Sequence, residues 1–388
     1  MIFGVNGAAI FTWLPRLPDL QTKLDIDVPT LAWIAFAASA GGLIGSQLAP
    51  WAMRRFGTTV TVAVGGISAL AALSIASITP VTIVVGLALG AAGLGDGAQD
   101  VGMNAAGVSH QTMIGRPILQ RLHGAWSVGA LAGAVIATAA AAFRIPLAVH
   151  IVTVNVVLFA LTVWALRLLP TGTPPERRST MLARLAVEPS MRRSVIIIGL
   201  AVALVAIAEG IASEWPPVLL ANDRGTGPGA ASAATTVLLA AMSVARLTGD
   251  HLIVRHGTRR VLLAGMVATV VGSAIAFGVA APAATYVGVA LMGAGGAYAF
   301  PALFTIAGTD PNIGPGDGAA LVSGVARIGF LAYPPLIAWL EPTIGLGPAL
   351  QAATLAGIGV VLLVWFGMRN VDGYTTTAEN PAPDGLTS

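Results

Sequence analysis

The sequence predicts an all-α membrane protein with twelve transmembrane helices in two pseudo-symmetric six-helix bundles, and three observations lead to this prediction. The 388-residue chain is 56% hydrophobic and only 10% charged, with a mean hydropathy of +0.83, whereas soluble chains carry roughly 25% charged residues. Apolar runs of membrane-spanning length fill most of the chain. Two short motifs recur at nearly constant spacing on either side of a central polar break, which indicates a duplicated unit.

The composition also excludes several functional classes, namely cytosolic enzymes, secreted disulfide scaffolds and most nucleic-acid-binding proteins. Because the chain has no cysteine, it can carry out no thiolate chemistry and bind no cysteine-ligated metal. The histidines lack metal-site spacing, and no phosphate-binding Gly-Lys-Ser/Thr loop is present. No compact catalytic motif is visible. We therefore expect no metal, no cofactor, no nucleic-acid partner and no enzymatic activity.

Twelve apolar runs approach the length of about 20 residues that a helix needs to cross a bilayer core of about 30 Å. Clusters of Arg, Asp-Gly or Pro-Gly separate them. The first run is short because Pro15 and Arg16 interrupt it, which leaves open whether Met1 is the true start of the first helix. In order, the runs are Met1 to Leu17, Thr30 to Met53, Thr58 to Ile78, Val81 to Val108, Leu122 to Phe143, Pro146 to Leu169, Ser194 to Leu220, Ala230 to Thr248, Val261 to Ala281, Ala283 to Ala307, Ala319 to Leu340 and Pro348 to Met368.

The arginines predict the orientation of the chain in the membrane. If the amino terminus faces the cytoplasm, fourteen arginines lie in inner loops, and the outer loops hold only Arg16, Lys23, Arg144 and Arg224. Cytoplasmic loops carry the excess of basic residues in membrane proteins. We therefore expect both termini to lie in the cytoplasm.

The longest internal break divides the runs six from six. The sequence thus predicts an N-terminal six-helix bundle over residues 1–169, a cytoplasmic linker over 170–193 and a C-terminal six-helix bundle over 194–369. The remaining residues, 370–388, are rich in Thr, Pro, Gly and Asp and lack an apolar period, so we expect a disordered cytoplasmic tail.

Two repeated motifs support the division into halves. Arg55–Thr58 follows the second run and recurs as Arg255–Thr258 after the eighth, an offset of 200. Gly86–Leu89 lies in the fourth run and recurs as Gly288–Leu291 in the tenth, an offset of 202. Two matches at nearly one spacing on both sides of a linker predict duplicated halves.

The residues after the eighth run carry a family resemblance. Gly249 to Arg260 resembles the loop signature of the major facilitator superfamily, and Gly45 to Val60 resembles a divergent first copy. Arg54 and Val254 stand where the superfamily usually has Asp, and Thr59 stands where it usually has Arg. The resemblance therefore does not extend to the gating ion pair of that loop.

Further segments resemble the bacterial YbjJ-like inner membrane proteins. The likeness covers residues 1 to 369 and implies the major facilitator fold of twelve helices, with transport by alternating access and no particular substrate. The segments that carry it are Asp100–Asn104, Arg116-Pro117, His123–Ser127, Glu209-Gly210, Glu214-Trp215 and Arg246 with Gly249-Asp250.

Carboxylates within the apolar runs are the first candidate functional residues. A charged side chain at a helix centre costs about 2.5 to 3.5 kcal/mol on insertion scales, so each one is a functional-site hypothesis by default. Because burial favours the neutral form of a carboxyl group, we predict that protons are coupled through Asp96 first, Glu209 second and Asp100. The alternatives are headgroup depth for Asp100 and a role in helix packing for Glu209. The five carboxylates are Asp96, Asp100, Glu209, Glu214 and Asp250.

Polar residues on the same helices predict a substrate site. At 100° per residue, Gln99 and Asn104 share one face of the fourth run with both aspartates. Arg327 has no acidic residue within one turn, so it needs a partner from another helix. The alternatives are an anionic solute, one of the carboxylates of the seventh run, or a side chain that extends to the membrane surface. Interhelical hydrogen bonding is the alternative for the polar groups. The predicted substrate-binding residues are Asn6, Trp13, Gln99, Asn104, Tyr298 and Arg327.

Three other features receive structural interpretations. Arg246 and Asp250 lie four apart on the eighth run and are predicted to form a structural ion pair. Trp215, after Glu214, is interpreted as an interfacial anchor. The glycine-rich stretch Gly293–Pro301 predicts a hinge in the tenth run, and the glycines of the fourth run predict a broken helix at the corresponding place.

The predicted function is that of a monomeric secondary transporter in the bacterial inner membrane that moves a small polar solute, with a sugar-like solute favoured, by alternating access. Its partners are then the solute, protons and the lipid bilayer. Proton-driven efflux of drugs or secreted metabolites is one alternative, and a non-transporting membrane sensor or scaffold is another. A likeness to the fucose permease group, which places an acid on the fourth span, supports sugar-like import by analogy only.

Overall fold

The structure, a computed structural model of the chain, describes residues 1–114, 118–167, 189–313 and 315–368, and every regular element in these ranges is a helix. The first half contains α1 (Ile2–Trp13), α2 (Leu17–Leu24), α3 (Val28–Phe56), α4 (Thr58–Ile78), α5 (Thr82–Ile114), α6 (Leu119–Ala142) and α7 (Leu147–Leu166). The second half contains α8 (Pro189–Asn222), α9 (Pro228–His256), α10 (Thr258–Gly278), α11 (Pro282–Gly296), α12 (Ala299–Thr309), α13 (Pro315–Ile344), α14 (Leu346–Leu350) and α15 (Ala352–Leu362).

The predicted all-α membrane architecture is confirmed. Among the described residues, 11 helical segments are long and apolar enough to cross a membrane, with α11 and α12 counted as one. The first predicted span consists instead of α1, a 3₁₀ turn over Leu14–Arg16, and α2. α8 begins at Pro189, ahead of the predicted Ser194. Most of the predicted linker and all of the predicted tail lie outside the described residues.

The first span continues past Arg16, which the sequence analysis placed in an outer loop. That placement is wrong, because Arg16 is only 2% exposed. Its Nε lies 2.8 Å from Asp19 Oδ2, and its guanidinium also bonds to His150 Nδ1 at 3.1 Å and to the Ile145 carbonyl oxygen at 2.8 Å. Since these partners satisfy the charge inside the protein, Arg16 does not have to end the helix, which resumes as α2.

The helix bounds repeat at the predicted offset. α3 and α9 each have 29 residues, α4 and α10 each have 21, and each pair begins 200 positions apart. Gly57 and Gly257 join the helices of each pair with φ angles of 85° and 83°. A residue with a Cβ is strained at such positive φ angles, so glycine at both places keeps the same sharp connection.

Two helix crossings repeat in the same way. Gly65 of α4 faces Gly95 of α5, and a Cβ atom on Gly95 would lie 2.5 Å from the Gly65 carbonyl oxygen. Gly265 of α10 faces Gly295 of α11, where the corresponding distance is 2.3 Å. Small residues allow membrane helices to pack backbone against backbone. The third and fourth spans of each half therefore cross in the same manner.

The hinge predicted in the tenth span is present, but its predicted counterpart in the fourth is not. α11 ends at Gly296 and α12 begins at Ala299, whereas α5 continues unbroken from Thr82 to Ile114. Pro301 accounts for the difference. It has no N–H for the Ala297 carbonyl oxygen, and its ring clashes with that group. α5 contains no proline after its start, and its glycines serve close packing instead of a break.

The most extensive apolar cluster of the described residues joins the two halves at one end, and a smaller cluster around Phe11 and Leu239 also joins them. We call the end that holds Arg16 and Trp215 the outer end, following the predicted topology. A continuous cluster there includes Leu17 and Trp13 from the first half and Leu219 from the second. Towards the inner end, each half keeps a cluster of its own. The halves are therefore sealed together at the outer end and packed separately at the inner end.

The Gly65–Gly95 crossing generates a stability prediction. Gly95→Ala should lower the free energy of unfolding by about 1 to 3 kcal/mol, because the added methyl group overpacks a backbone contact. Gly86→Ala is the matched control, since a Cβ atom on Gly86 of the same helix meets no atom within 4 Å. Thermal unfolding in mild detergent measures both. Equal melting temperatures for the two variants would contradict the close crossing.

Candidate functional site

A cavity of about 260 Å³ lies between the two halves. Helices α1, α3, α4 and α5 of the first half supply most of its wall. Glu214 of α8 and Arg327 and Phe330 of α13 close it from the second half. Apolar side chains form most of the surface, with a few polar groups among them. This combination is typical of small-molecule sites.

A polar network lies on the α1–α5 wall of this cavity. Asn6 Nδ2 donates to Asp96 Oδ1 at 2.6 Å and to Gln99 Oε1 at 3.1 Å. Trp126 Nε1 on α6 donates to Asn6 Oδ1 at 2.9 Å, which fixes the orientation of the Asn6 amide. The predicted residues Asn6, Asp96 and Gln99 therefore come together, and all three line the cavity.

Two atoms of this network still have hydrogen-bonding capacity. Asp96 is partly exposed to the cavity, and its second oxygen accepts no hydrogen bond from a described residue. Gln99 Nε2 is buried and has no hydrogen-bond partner among the described residues. A solute that approaches Asp96 therefore meets an acceptor that is not fully used.

Arg327 finds a partner on another helix, as the sequence predicts, but that partner is Asp100 of the first half and not a carboxylate of the seventh span. Its NH2 group lies 2.6 Å from Asp100 Oδ2, and its NH1 group lies 3.4 Å from the carbonyl oxygen of Gly42. The other Asp100 oxygen accepts from Asn104 Nδ2 at 3.0 Å. Asn104 supports the ion pair and is not among the residues that line the large cavity. Asp100 thus connects α5 to α13 near the middle of both helices.

Glu214 and Trp13 lie towards the outer end of the same cavity. Glu214 Oε2 is buried and has no hydrogen-bond partner among the described residues. The Tyr333 hydroxyl forms a hydrogen bond with the Glu214 carboxyl group. Trp215 is 2% exposed, so its interpretation as an interfacial anchor is wrong. The indole of Trp215 fills the core that joins the halves, and this packing turns Glu214 towards the cavity.

Two predicted site residues lie elsewhere. The Tyr298 hydroxyl donates to the Ala245 carbonyl oxygen at 2.8 Å, and its ring packs near Gly249 and Gly265. Tyr298 therefore fills the space beside the α11–α12 break. Glu209 lines a separate cavity of about 20 Å³ in the second half, and its Oε2 atom has no hydrogen-bond partner among the described residues.

The predicted ion pair on the eighth span is described only in part. Arg246 NH1 lies 3.0 Å from Ser127 Oγ on α6, so this arginine also connects the two halves. The side chain of Asp250 lies outside the described residues, and its pairing with Arg246 stays a prediction.

Sequence reasoning missed three contributors to the site, namely Trp126, Phe330 and Tyr333. Trp126 lies in the segment His123–Ser127, which carried the family resemblance but no assigned role. Phe330 follows Arg327 by three positions and so shares its helix face, a signal that helical periodicity offers. Tyr333 gave no signal, because its partner Glu214 lies on another helix far away in the sequence.

Comparisons with known proteins agree with this architecture, although no family model matches the chain. An uncharacterized MFS-type transporter of Yersinia pestis is 26% identical over 358 residues, which cover 92% of this chain and 91% of the relative. An uncharacterized transporter of Sinorhizobium fredii is 26% identical over 83% of this chain and 84% of its own length. The membrane protein MosC of Rhizobium meliloti is 24% identical over 96% of this chain and 89% of its own length.

Solved structures show the same fold. The nucleoside transporter NupG superposes with a TM-score of 0.67 over 95% of this chain and 96% of its own, at 13% identity. The Escherichia coli fucose:proton symporter FucP superposes with a TM-score of 0.60 over 94% of this chain and 96% of its own, at 17% identity. The chain has the major facilitator fold, and these proteins are transporters, not enzymes.

The Asp100–Arg327 pair predicts a pattern of stability in a double-mutant cycle. Arg327→Gln or Asp100→Asn alone should cost about 1 to 3 kcal/mol, because either change leaves one partner unpaired. This is less than for a fully buried pair, because the side chains are 22% and 38% exposed. The double variant should be more stable than the sum of the two losses implies.

Thermal unfolding of the four proteins measures this coupling, with Arg255→Gln as the control for removing an arginine from an exposed position. Strictly additive losses would show that the two side chains do not stabilise each other.

Proposed function

We propose that this protein is a proton-coupled secondary transporter that moves a small polar, sugar-like solute by alternating access between its two halves. The observation that carries the proposal is Asp96, a carboxylate that faces a cavity between the halves and is held by Asn6. We also propose that the chain belongs with the YbjJ-like inner membrane proteins, on the segments that resemble them. Both termini are then cytoplasmic, and the protein is monomeric.

The cavity suits a solute with hydroxyl or amide groups. Asn6, Asp96 and Gln99 concentrate hydrogen-bonding groups on one wall, while Trp13 offers a flat apolar surface. Sugars combine polar hydroxyl groups with an apolar ring face, and a site of this kind binds both. An anionic solute fits less well, because two carboxylates without a cationic partner line the cavity.

Asp96 also supports the proposed coupling to protons. Among the described residues, no cation lies within ion-pair distance of Asp96, since Arg327 pairs with Asp100. A lone carboxylate is costly inside the membrane when water is excluded. Closure of the cavity therefore favours the protonated form of Asp96, and opening to water on the other side favours release of the proton.

The packing of the halves supports alternating access. A shared core closes the outer end, whereas the inner ends of the halves have separate cores. Rocking the predicted bundles, residues 1–169 and 194–369, about the central site would exchange the sealed end. Glu209, which the sequence predicts as a second proton site, lies in its own cavity and does not share a proton with Asp96.

A second candidate function is proton-driven efflux of lipophilic cations. It is favoured by the apolar character of most of the cavity wall, where Leu31, Ile34 and Phe330 lie near the acids. Such a solute needs few hydrogen bonds and is attracted by carboxylates. The direction of flux relative to the proton gradient separates the two functions.

Transport in vesicles tests the proposal. In proteoliposomes with an imposed proton gradient, we expect uptake of a sugar or nucleoside to follow the gradient. Asp96→Asn should lower gradient-driven accumulation about tenfold or more, because an amide cannot take up and release a proton. Exchange of solute across the membrane without a gradient should persist in this variant.

The control variant is Asp25→Asn, the same chemical change at an exposed residue. Its φ angle of 49° is one that asparagine tolerates well. If the Asp96→Asn variant coupled transport to the proton gradient as well as the wild-type protein does, Asp96 would not have its proposed role. Flux of lipophilic cations against the gradient would select the efflux candidate, and the absence of any flux from a cooperatively folded protein would favour a sensor or scaffold.

A further inference from the structure

The ionisable side chains that line the large cavity do not balance one another. They are Asp96, Glu214 and Arg327. Arg327 is already engaged by Asp100, whose Oδ2 lies 2.6 Å away. The described part of the cavity therefore presents two carboxyl groups, Asp96 and Glu214, whose charge no neighbouring cation neutralises.

The two carboxyl groups have different surroundings. Asp96 accepts a hydrogen bond from Asn6 and lies beside Gln99, so hydroxyl and amide groups surround it. Glu214 lies among the apolar residues at the outer end of the cavity. Its Oε2 atom is buried without a partner among the described residues, and the Tyr333 hydroxyl forms a hydrogen bond with the carboxyl group. A carboxylate in this position gains most from a ligand that brings a positive charge.

The two groups also lie at different depths. Asp96 is close to the middle of α5, and Glu214 lies well past the middle of α8 towards the outer end. At 1.5 Å per residue, this separates them by about 10 Å along the membrane normal. When one hydrogen bond of about 2.9 Å at each carboxyl group is subtracted from this separation, the remaining space fits a molecule about as large as one sugar ring.

We propose that the transported solute carries a positively charged amine that Glu214 binds, with hydroxyl groups at its other end that face Asp96, Asn6 and Gln99. An amino sugar is the simplest molecule of this class. The inference rests on the proposed function and specifies its substrate. Trp13 and Phe330 lie on the cavity wall near the acids and offer aromatic faces, which attract cations as well as apolar ring surfaces.

The inference differs from a role for Glu214 as another proton site. A carboxyl group that only takes up a proton does not distinguish an amine from a hydroxyl group at the same position of the solute. A carboxylate that binds an ammonium group does distinguish them, because the ammonium adds the attraction of an opposite charge to the hydrogen bond that either group donates. Ligand preference thus separates the two roles.

Equilibrium binding to the full-length purified protein tests the inference. Glucosamine, glucose and glucuronate form one series, and a lipophilic amine with its neutral isostere forms a second. Titration calorimetry is performed at about pH 6.5, where the amines are protonated. We expect glucosamine to bind about ten- to a hundredfold more tightly than glucose, and glucuronate to bind most weakly.

Three variants locate the preference. Glu214→Gln should bring the glucosamine-to-glucose affinity ratio to about one, because glutamine can still form a hydrogen bond with either solute but does not attract the ammonium charge. Glu214→Asp keeps the charge and should keep part of the ratio. Glu341→Gln is the control, since Glu341 lies at the outer end of α13 and does not line the cavity. Thermal unfolding confirms that each variant is folded.

Each outcome decides the inference. Equal affinity of the wild-type protein for each amine and its neutral isostere, or no binding in either series, overturns it. A preference that survives Glu214→Gln also overturns it, because the amine then binds elsewhere. If only the lipophilic series shows the preference and loses it in Glu214→Gln, the amine contact stands and the hydroxylated solute is overturned.

Proton-driven flux of glucose without any amine preference would overturn this inference and leave the proposed function intact, whereas absence of all flux would overturn the proposed function itself.

Discussion

The structure depends on one constraint, which is that a charged group placed among membrane-spanning helices is costly unless a partner or a proton neutralises it. Arg16 and Arg327 show two solutions. Arg16 bonds to Asp19 and His150 at the outer end, and so the first span can carry a cation in the turn between α1 and α2. Arg327 instead reaches across the two halves to Asp100. The first pairing stabilises one half, and the second connects two halves that must move relative to each other in a transporter of this kind.

The repeated glycine crossings show a second level of constraint. Gly65 with Gly95 and Gly265 with Gly295 place helix backbones in direct contact, and this constrains α4 and α10 to the same length and position in the two halves. The halves diverge where backbone contact is not required. Pro301 breaks one fourth helix of the pair, whereas the other remains continuous and carries two aspartates. The duplicated scaffold thus holds two different fourth helices, and only one of them presents carboxylates to the large cavity.

Features that depend on neighbours in sequence were predicted well, and features that depend on distant partners were not. Helical periodicity placed Asp96, Gln99 and Asp100 on one face, and the offset of 200 predicted that the second half repeats the first. Arg16 looked like a helix end because its partner His150 lies far along the chain. Trp215 looked like an interfacial anchor because the core residues that bury it lie on other helices, far along the chain. The sequence shows which side chains are costly in the membrane, but only the packed helices show which residues form hydrogen bonds or ion pairs with them.

In the proposed alternating access, the Asp100–Arg327 pair would link the movement of the halves to the charge of the cavity. Its two members lie on α5 and α13, in opposite halves, and Asp96 lies one helical turn before Asp100 on the same face. Separation of α5 from α13 would break the ion pair among membrane-spanning helices, where unpaired charges are costly. A proton or a bound solute would lower that cost by changing the charge one helical turn away, at Asp96. The residues proposed to bind the solute and the residues that hold the halves together are close enough for their charges to interact. This interaction requires the polar residues of α5 to cluster within three helical turns instead of being spread along the helix.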